Sequence, residues 1–169
     1  LASLTWNYLN FKTNSNKSFF VNNSKLISVQ VFLFLIFLQI IFGAFVSGLD
    51  AGKIYQTWPL MNDNYYPNDV NFKDYKQFLN LNDRSVVQFI HRNLAYIIFF
   101  LLIFIGFNIK KLNKKNLYKP YFYLLIFIFI QIILGILALI TDLHIAIASL
   151  HQISSIFLIL LSLNFYYKS

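Results

Sequence analysis

The chain is expected to be an all-α integral membrane protein, a four-helix bundle, and three observations point there. Its 169 residues are 58% hydrophobic and only 12% charged, with a mean hydropathy of +0.59, far too little charge to cover a soluble domain of this size. Four stretches, Leu26–Val46, Val86–Phe107, Tyr121–Ile140 and Ile145–Phe165, each approach or exceed the roughly 20 apolar residues a helix needs to cross a bilayer. The charges between them are sorted by loop. Lys12, Lys17 and Lys25 precede the first span, Lys110, Lys111, Lys114, Lys115 and Lys119 crowd the link between the second and third, and Lys168 follows the fourth.

Basic loops mark the cytoplasmic or matrix side, so both termini and the lysine cluster are placed inside. The long loop 47–85 balances Lys53, Lys73, Lys76 and Arg84 against Asp50, Asp63, Asp69, Asp74 and Asp83, and the last turn carries only Asp142. Both are placed outside. The net charge of +8 is thereby accounted for by topology and anionic headgroups, and nucleic acid is excluded as a partner. The chain has no cysteine, which removes disulfides and thiolate ligands.

Along the chain, 1–25 reads as the end of a preceding helix and an inner loop, the stretch Leu1–Leu9 being apolar but too short to span. The chain begins without Met and reads as a fragment lacking an upstream part, with no signal-peptide pattern. Residues 26–169 form the four-helix unit. Its first span carries Gln39-Ile40-Ile41-Phe42-Gly43, echoed in the third by Gln131-Ile132-Ile133-Leu134-Gly135. Each echo is followed, one span later, by a histidine near the outer end of the helix. The unit is a duplicated helix pair with an approximate twofold axis along the membrane normal. Gly43 and Gly135 read as packing glycines that admit a neighbouring helix or a flat ligand; Gly43 and Gly48 are not at the dimerisation spacing. The outer loop carries Tyr55, Trp58, Tyr65, Tyr66, Phe72, Tyr75 and Phe78, too many aromatics for a free tether, and is expected to fold back on the membrane surface. The short basic inner loop carries no chemistry.

His91 and His151 hold the chemical interest. An imidazole inside hydrocarbon is costly and marks a functional site by default. Counted from Val86 and Ile145, the two lie roughly 8 Å and 9 Å below the outer surface at 1.5 Å rise per residue. Equal depth on two helices running the same way suits the axial ligands of a haem, iron held from both faces by neutral imidazole. Zinc would want three or four ligands, and no acidic residue lies at that depth. His144, two turns above His151, is a polar residue at the helix start. Arg92 either pairs with a haem propionate or snorkels to the outer headgroups. Gln88 stands one turn before His91, where general acid–base work would need a carboxyl group. The site therefore reads as an electron-transfer haem, with no catalytic residue in this segment.

Four motifs, Gly43-Ala44-Phe45-Val46-Ser47-Gly48-Leu49-Asp50-Ala51-Gly52, Thr57-Trp58-Pro59-Leu60-Met61, Gln88-Phe89-Ile90-His91-Arg92 and Leu150-His151-Gln152, resemble the C-terminal half of haem A synthase, in its alphaproteobacterial and mitochondrial branch. The resemblance covers nearly everything from Leu26 onward. It implies an eight-helix protein of two similar halves that oxidises a methyl of haem O to the formyl of haem A for cytochrome oxidase. It further implies a resident haem b on His91 and His151. Gln88 occupies the place of a glutamate in the N-terminal half, where the substrate haem O and the catalytic residues are expected. The segment alone is then inactive. Implied partners are haem O, a ferredoxin-type or membrane electron donor and oxidase assembly factors, within a bacterial or mitochondrial inner membrane; a homo-oligomer stays open. A bis-histidine cytochrome that only relays electrons is the alternative, and a bundle without haem the third reading.

Overall fold

A computed structural model describes residues 1–19, 27–71 and 73–169. Leu26, the expected start of the first span, lies outside the described residues, as do Lys25 and Phe72. Six helices run in the order α1 (Ala2–Lys12), α2 (Ile27–Gly48), α3 (Tyr75–Phe78), α4 (Arg84–Lys111), α5 (Tyr118–Ile140) and α6 (Ile145–Lys168). Among the described residues there is no strand, only an isolated bridge between Met61 and Asn64. Four of the helices, α2, α4, α5 and α6, are long and apolar enough to cross a membrane. The chain is a multi-pass membrane protein.

Helix ends follow local chemistry. The Asp83 side chain accepts from the backbone N–H groups of Ser85 (3.0 Å) and Val86 (3.2 Å), an N-cap that starts α4 two residues before its apolar run. Pro120 sits in the first turn of α5, where its missing N–H breaks no intrahelical bond. α5 ends at Ile140, and Asp142 and Leu143 then both take φ of 54°, reversing the chain into α6. A leucine in the left-handed region is uncommon. Here the Leu143 side chain lies over Gly52, where an added Cβ would stand 3.0 Å from its Cδ2. The observed helices are longer than the expected spans at the lysine-rich ends, where α4 continues to Lys111 and α6 to Lys168. Long basic stems can lie along apolar surface with their charges in the headgroups.

α1 is a helix docked against the inner end of α6. Trp6 is buried, donates its indole N–H to the Lys17 carbonyl (2.8 Å), and meets Phe19, Tyr166 and Tyr167 at centroid distances of 4.9, 5.5 and 5.0 Å. The four long helices form a ring in which α2 packs on α4 and α6, and α5 on α6 and α4. α4 and α6 consequently face each other on a diagonal.

The buried apolar core occupies one end of this ring. It draws Val29, Phe32, Leu33 and Ile36 from α2, Leu94 to Ile109 from α4, Leu124 and Ile128 from α5, and Leu158 to Tyr167 from α6. All of these lie toward the lysine-rich, inner side. Among the described residues, α2 buries nothing after Ile36, α6 nothing before Leu158, and α5 only Ala138 beyond Gln131. The outer halves of α2, α5 and α6 thus bury few apolar side chains, while α4 buries Val86 and Val87 at this level.

Candidate functional site

Both histidines belong to that level. His91 is the eighth residue of α4 and His151 the seventh of α6, on the two diagonal helices. Each is half-buried, and each Nδ1 is fully shielded yet has no hydrogen-bond partner of good geometry. Such orphaned polar atoms are costly inside a protein and are rare in finished interiors. Among the described residues no third histidine or carboxylate joins them as a metal cluster.

The repeat read in the sequence acquires a physical meaning here. A Cβ on Gly43 would lie 3.2 Å from His91 Cε1, and one on Gly135 would lie 3.2 Å from His151 Cε1. The packing partner of each glycine is thus an imidazole ring. In the first copy the Gln39 amide donates to the His91 carbonyl (3.2 Å) and to His91 Nε2 (3.3 Å). In the second, Gln131 is buried and donates to Ser154 Oγ, which in turn donates to the carbonyls of Leu150 (2.6 Å) and His151 (3.2 Å). The sequence offered the spacing of these residues but not their pairing, because Gln and Gly are ordinary in membrane helices and only the ring order of the bundle brings them to the histidines.

Arg92 has a role that neither sequence reading contained. Its Nη2 donates to three carbonyls of the outer loop, those of Thr57 (2.9 Å), Pro59 (3.2 Å) and Leu60 (3.3 Å). Its Nη1 is buried without a partner. The Thr57–Met61 segment is built to present those carbonyls. Thr57 Oγ1 donates to the Leu60 carbonyl (2.9 Å) and accepts from the Asn62 N–H (2.7 Å), Trp58–Pro59 is a cis peptide, and Met61 is buried. Trp58 reaches Tyr96 OH through its indole N–H (3.1 Å), and Tyr65 donates to Asn93.

The loop folds back as expected, but mainly onto the bundle's own outer end. Of its aromatics Tyr55 is buried, while Trp58, Tyr65, Tyr66 and Tyr75 remain exposed. Gln88 is buried and donates to the Tyr55 carbonyl (2.8 Å), so it ties loop to helix from one turn above His91. Gln56 bonds Asp142 (2.5 Å), and Ala51 and Gly52 are buried, Gly52 against Leu143. The loop thereby spans the outer turns of both helix pairs and covers the histidine level. His144 is exposed at the start of α6, with no side-chain cap bond.

A profile of the COX15-CtaA family, described as cytochrome oxidase assembly protein, matches residues 1–163. The chain belongs to this family. It is 44% identical over 122 residues to a protein named haem A synthase from Pelagibacter ubique, a match covering 72% of this chain and 36% of the relative. Proteins of the same name from Wolbachia pipientis wMel and from the Wolbachia of Brugia malayi are 45% and 38% identical. These matches cover 81% and 93% of this chain, and 37% and 45% of the relatives. The chain thus spans less than half the length of the curated relatives it matches. No solved structure matches it.

Proposed function

We propose that this chain is the haem b half of a haem A synthase, with His91 and His151 as the axial ligands of the iron. The observation that carries the reading is the coincidence of three features: two imidazoles on diagonal helices, an orphaned ring nitrogen on each, and a glycine of the neighbouring helix against each ring. Two imidazoles seated on glycines with a guanidinium beside one of them suit a flat, largely apolar macrocycle with two carboxylates at one edge. Arg92 Nη1 would meet a propionate, since Arg pairs with carboxylates in fixed geometry, while Nη2 holds the loop above it. Bound there, haem supplies one-electron exchange at its iron. The chain's own residues orient the ligands and keep water out.

Whole-protein activity follows the relatives: oxidation of haem O to haem A for cytochrome oxidase. Haem O, an electron donor of ferredoxin or membrane type and oxidase assembly factors are its partners, in the inner membrane of a bacterium or, alternatively, of a mitochondrion. Gln88 is committed to the Tyr55 carbonyl and brings no carboxyl group to His91, so substrate oxidation is assigned elsewhere in the protein. Leu1–Ser169 alone is accordingly expected to form no haem A from haem O. The reading of a relay cytochrome without synthase activity leaves the Thr57–Met61 loop and its grip on Arg92 without a purpose.

The test is spectroscopic. Purified protein is expected to show a low-spin b-type spectrum, and His91→Ala and His151→Ala each to abolish it. Retention of that spectrum in both variants would remove the ligand assignment.

A further inference from the structure

We propose that the paired Gln-x-x-x-Gly segments, Gln39–Gly43 and Gln131–Gly135, are positioning devices that set the angle of the two imidazoles, the glycine by seating the ring and the glutamine by tying the helix to the backbone of the histidine. The inference rests on the haem-ligand reading of His91 and His151 and adds to it the residues that aim them. Each glycine faces the Cε1 edge of the following helix's histidine at a distance where a methyl group would force the ring aside by a few tenths of an ångström. The helix surface there is a slot as wide as an imidazole, which only the absence of a side chain provides.

The glutamine ties its helix to the histidine's own helix. The Gln39 amide donates to His91 Nε2, so that nitrogen presents its lone pair and the ring proton resides on Nδ1. A metal at Nε2 would displace the Gln39 amide from that lone pair and leave the amide on the His91 carbonyl. The same amide grips the His91 carbonyl, tying the side chain of one helix to the backbone of the next. In the second copy Ser154 is interposed: Gln131 donates to the hydroxyl, and the hydroxyl to the His151 carbonyl. A Cβ on Gly135 would also lie 3.6 Å from His151 Nδ1 and 3.8 Å from Nε2, so the ring sits over the glycine. The groups packed around a ligating histidine set its orientation. The repeat is thus conserved within the chain as a pair of ligand cradles, one direct and one relayed through a hydroxyl.

The experiment compares purified Gly43→Ala and Gly135→Ala with Gly48→Ala, which meets nothing within 4 Å on the same helix as Gly43. Haem titration, optical spectra and electron paramagnetic resonance are read beside circular dichroism. Gly43→Ala and Gly135→Ala are expected to lose haem affinity about 10-fold and to gain a high-spin fraction, with Gly48→Ala unchanged. Parental affinity and g-values in the first two, or an equal loss in Gly48→Ala, would overturn the proposal. Should either glycine variant lose helix content, Gln39→Ala and Gln131→Ala probe the cradles without adding volume. Shifted g-values are expected in both, and unshifted ones overturn the proposal. If His91→Ala and His151→Ala keep the parental spectrum, the haem reading itself fails; if they lose it while the glycine and glutamine variants do not, only the cradle fails.

Discussion

Asp69 shows how much of the outer loop depends on one carboxylate. Its Oδ1 accepts from Tyr55 OH (2.6 Å) and its Oδ2 from Ser85 Oγ (2.6 Å), joining the loop to the first turn of α4. Partial burial works against its charge, but the hydrogen bonds from Ser85 and Tyr55 outweigh it and hold the carboxyl below its ordinary 3.8. Burial, then the bond to Asp69, pushes the Tyr55 phenol above 10.0. The signs follow. A depressed carboxyl stabilises the fold fully above 3.8, and that contribution is lost as pH falls through the lower folded value. A raised phenol favours the fold below 10.0, and that contribution is lost as pH rises through the higher folded value. The loop is therefore expected to stay fastened between these limits and to loosen first in acid. Limited proteolysis of the loop across pH checks this, and Asp69→Asn should make cleavage at neutral pH faster and remove the acid transition.

At the scale of elements, α1 is the piece whose attachment is most separable from the site. Trp6 inserts among Phe19, Tyr166 and Tyr167, at the inner end of α6 and far along the helix from His151. Trp6→Ala is expected to cost about 3–5 kcal/mol of docking, as loss of a large buried aromatic does. It should expose the segment before Lys17 to protease while leaving the haem spectrum intact; a lost spectrum would show that α1 supports the site. The sequence made the four spans legible because runs of Ile, Leu and Phe between lysines leave a helix no other solvent than lipid. It also made His91 and His151 legible as polar exceptions. The docking of α1 was not legible, since Trp6 stands in a short stretch whose partners are more than 150 residues away in Tyr166 and Tyr167. The same holds for Arg92, whose carbonyl partners are backbone atoms of a loop 32 to 35 positions earlier. Backbone acceptors leave no trace in residue identity.

Across the whole molecule, the apolar core and the candidate site divide the bundle between them. The inner half contains most of the apolar core and ends in lysines; the other half meets the loop and contains both histidines. This division has a consequence for orientation. With Lys110, Lys111, Lys114, Lys115 and Lys119 at the inner end, insertion is biased so that the histidine level lies near the opposite face. Haem held there would exchange electrons close to the outer surface, beneath the Thr57–Met61 loop. The chain contains no cysteine, so a single introduced thiol reports its own side alone. Asp63→Cys, on the exposed loop, is expected to react with a membrane-impermeant maleimide added to spheroplasts. Asn116→Cys, in the lysine-rich link, should react only after the membrane is opened. The reverse pattern would place the loop, the roof of the site and the histidines on the inner side, and would contradict the charge argument from which the orientation was built.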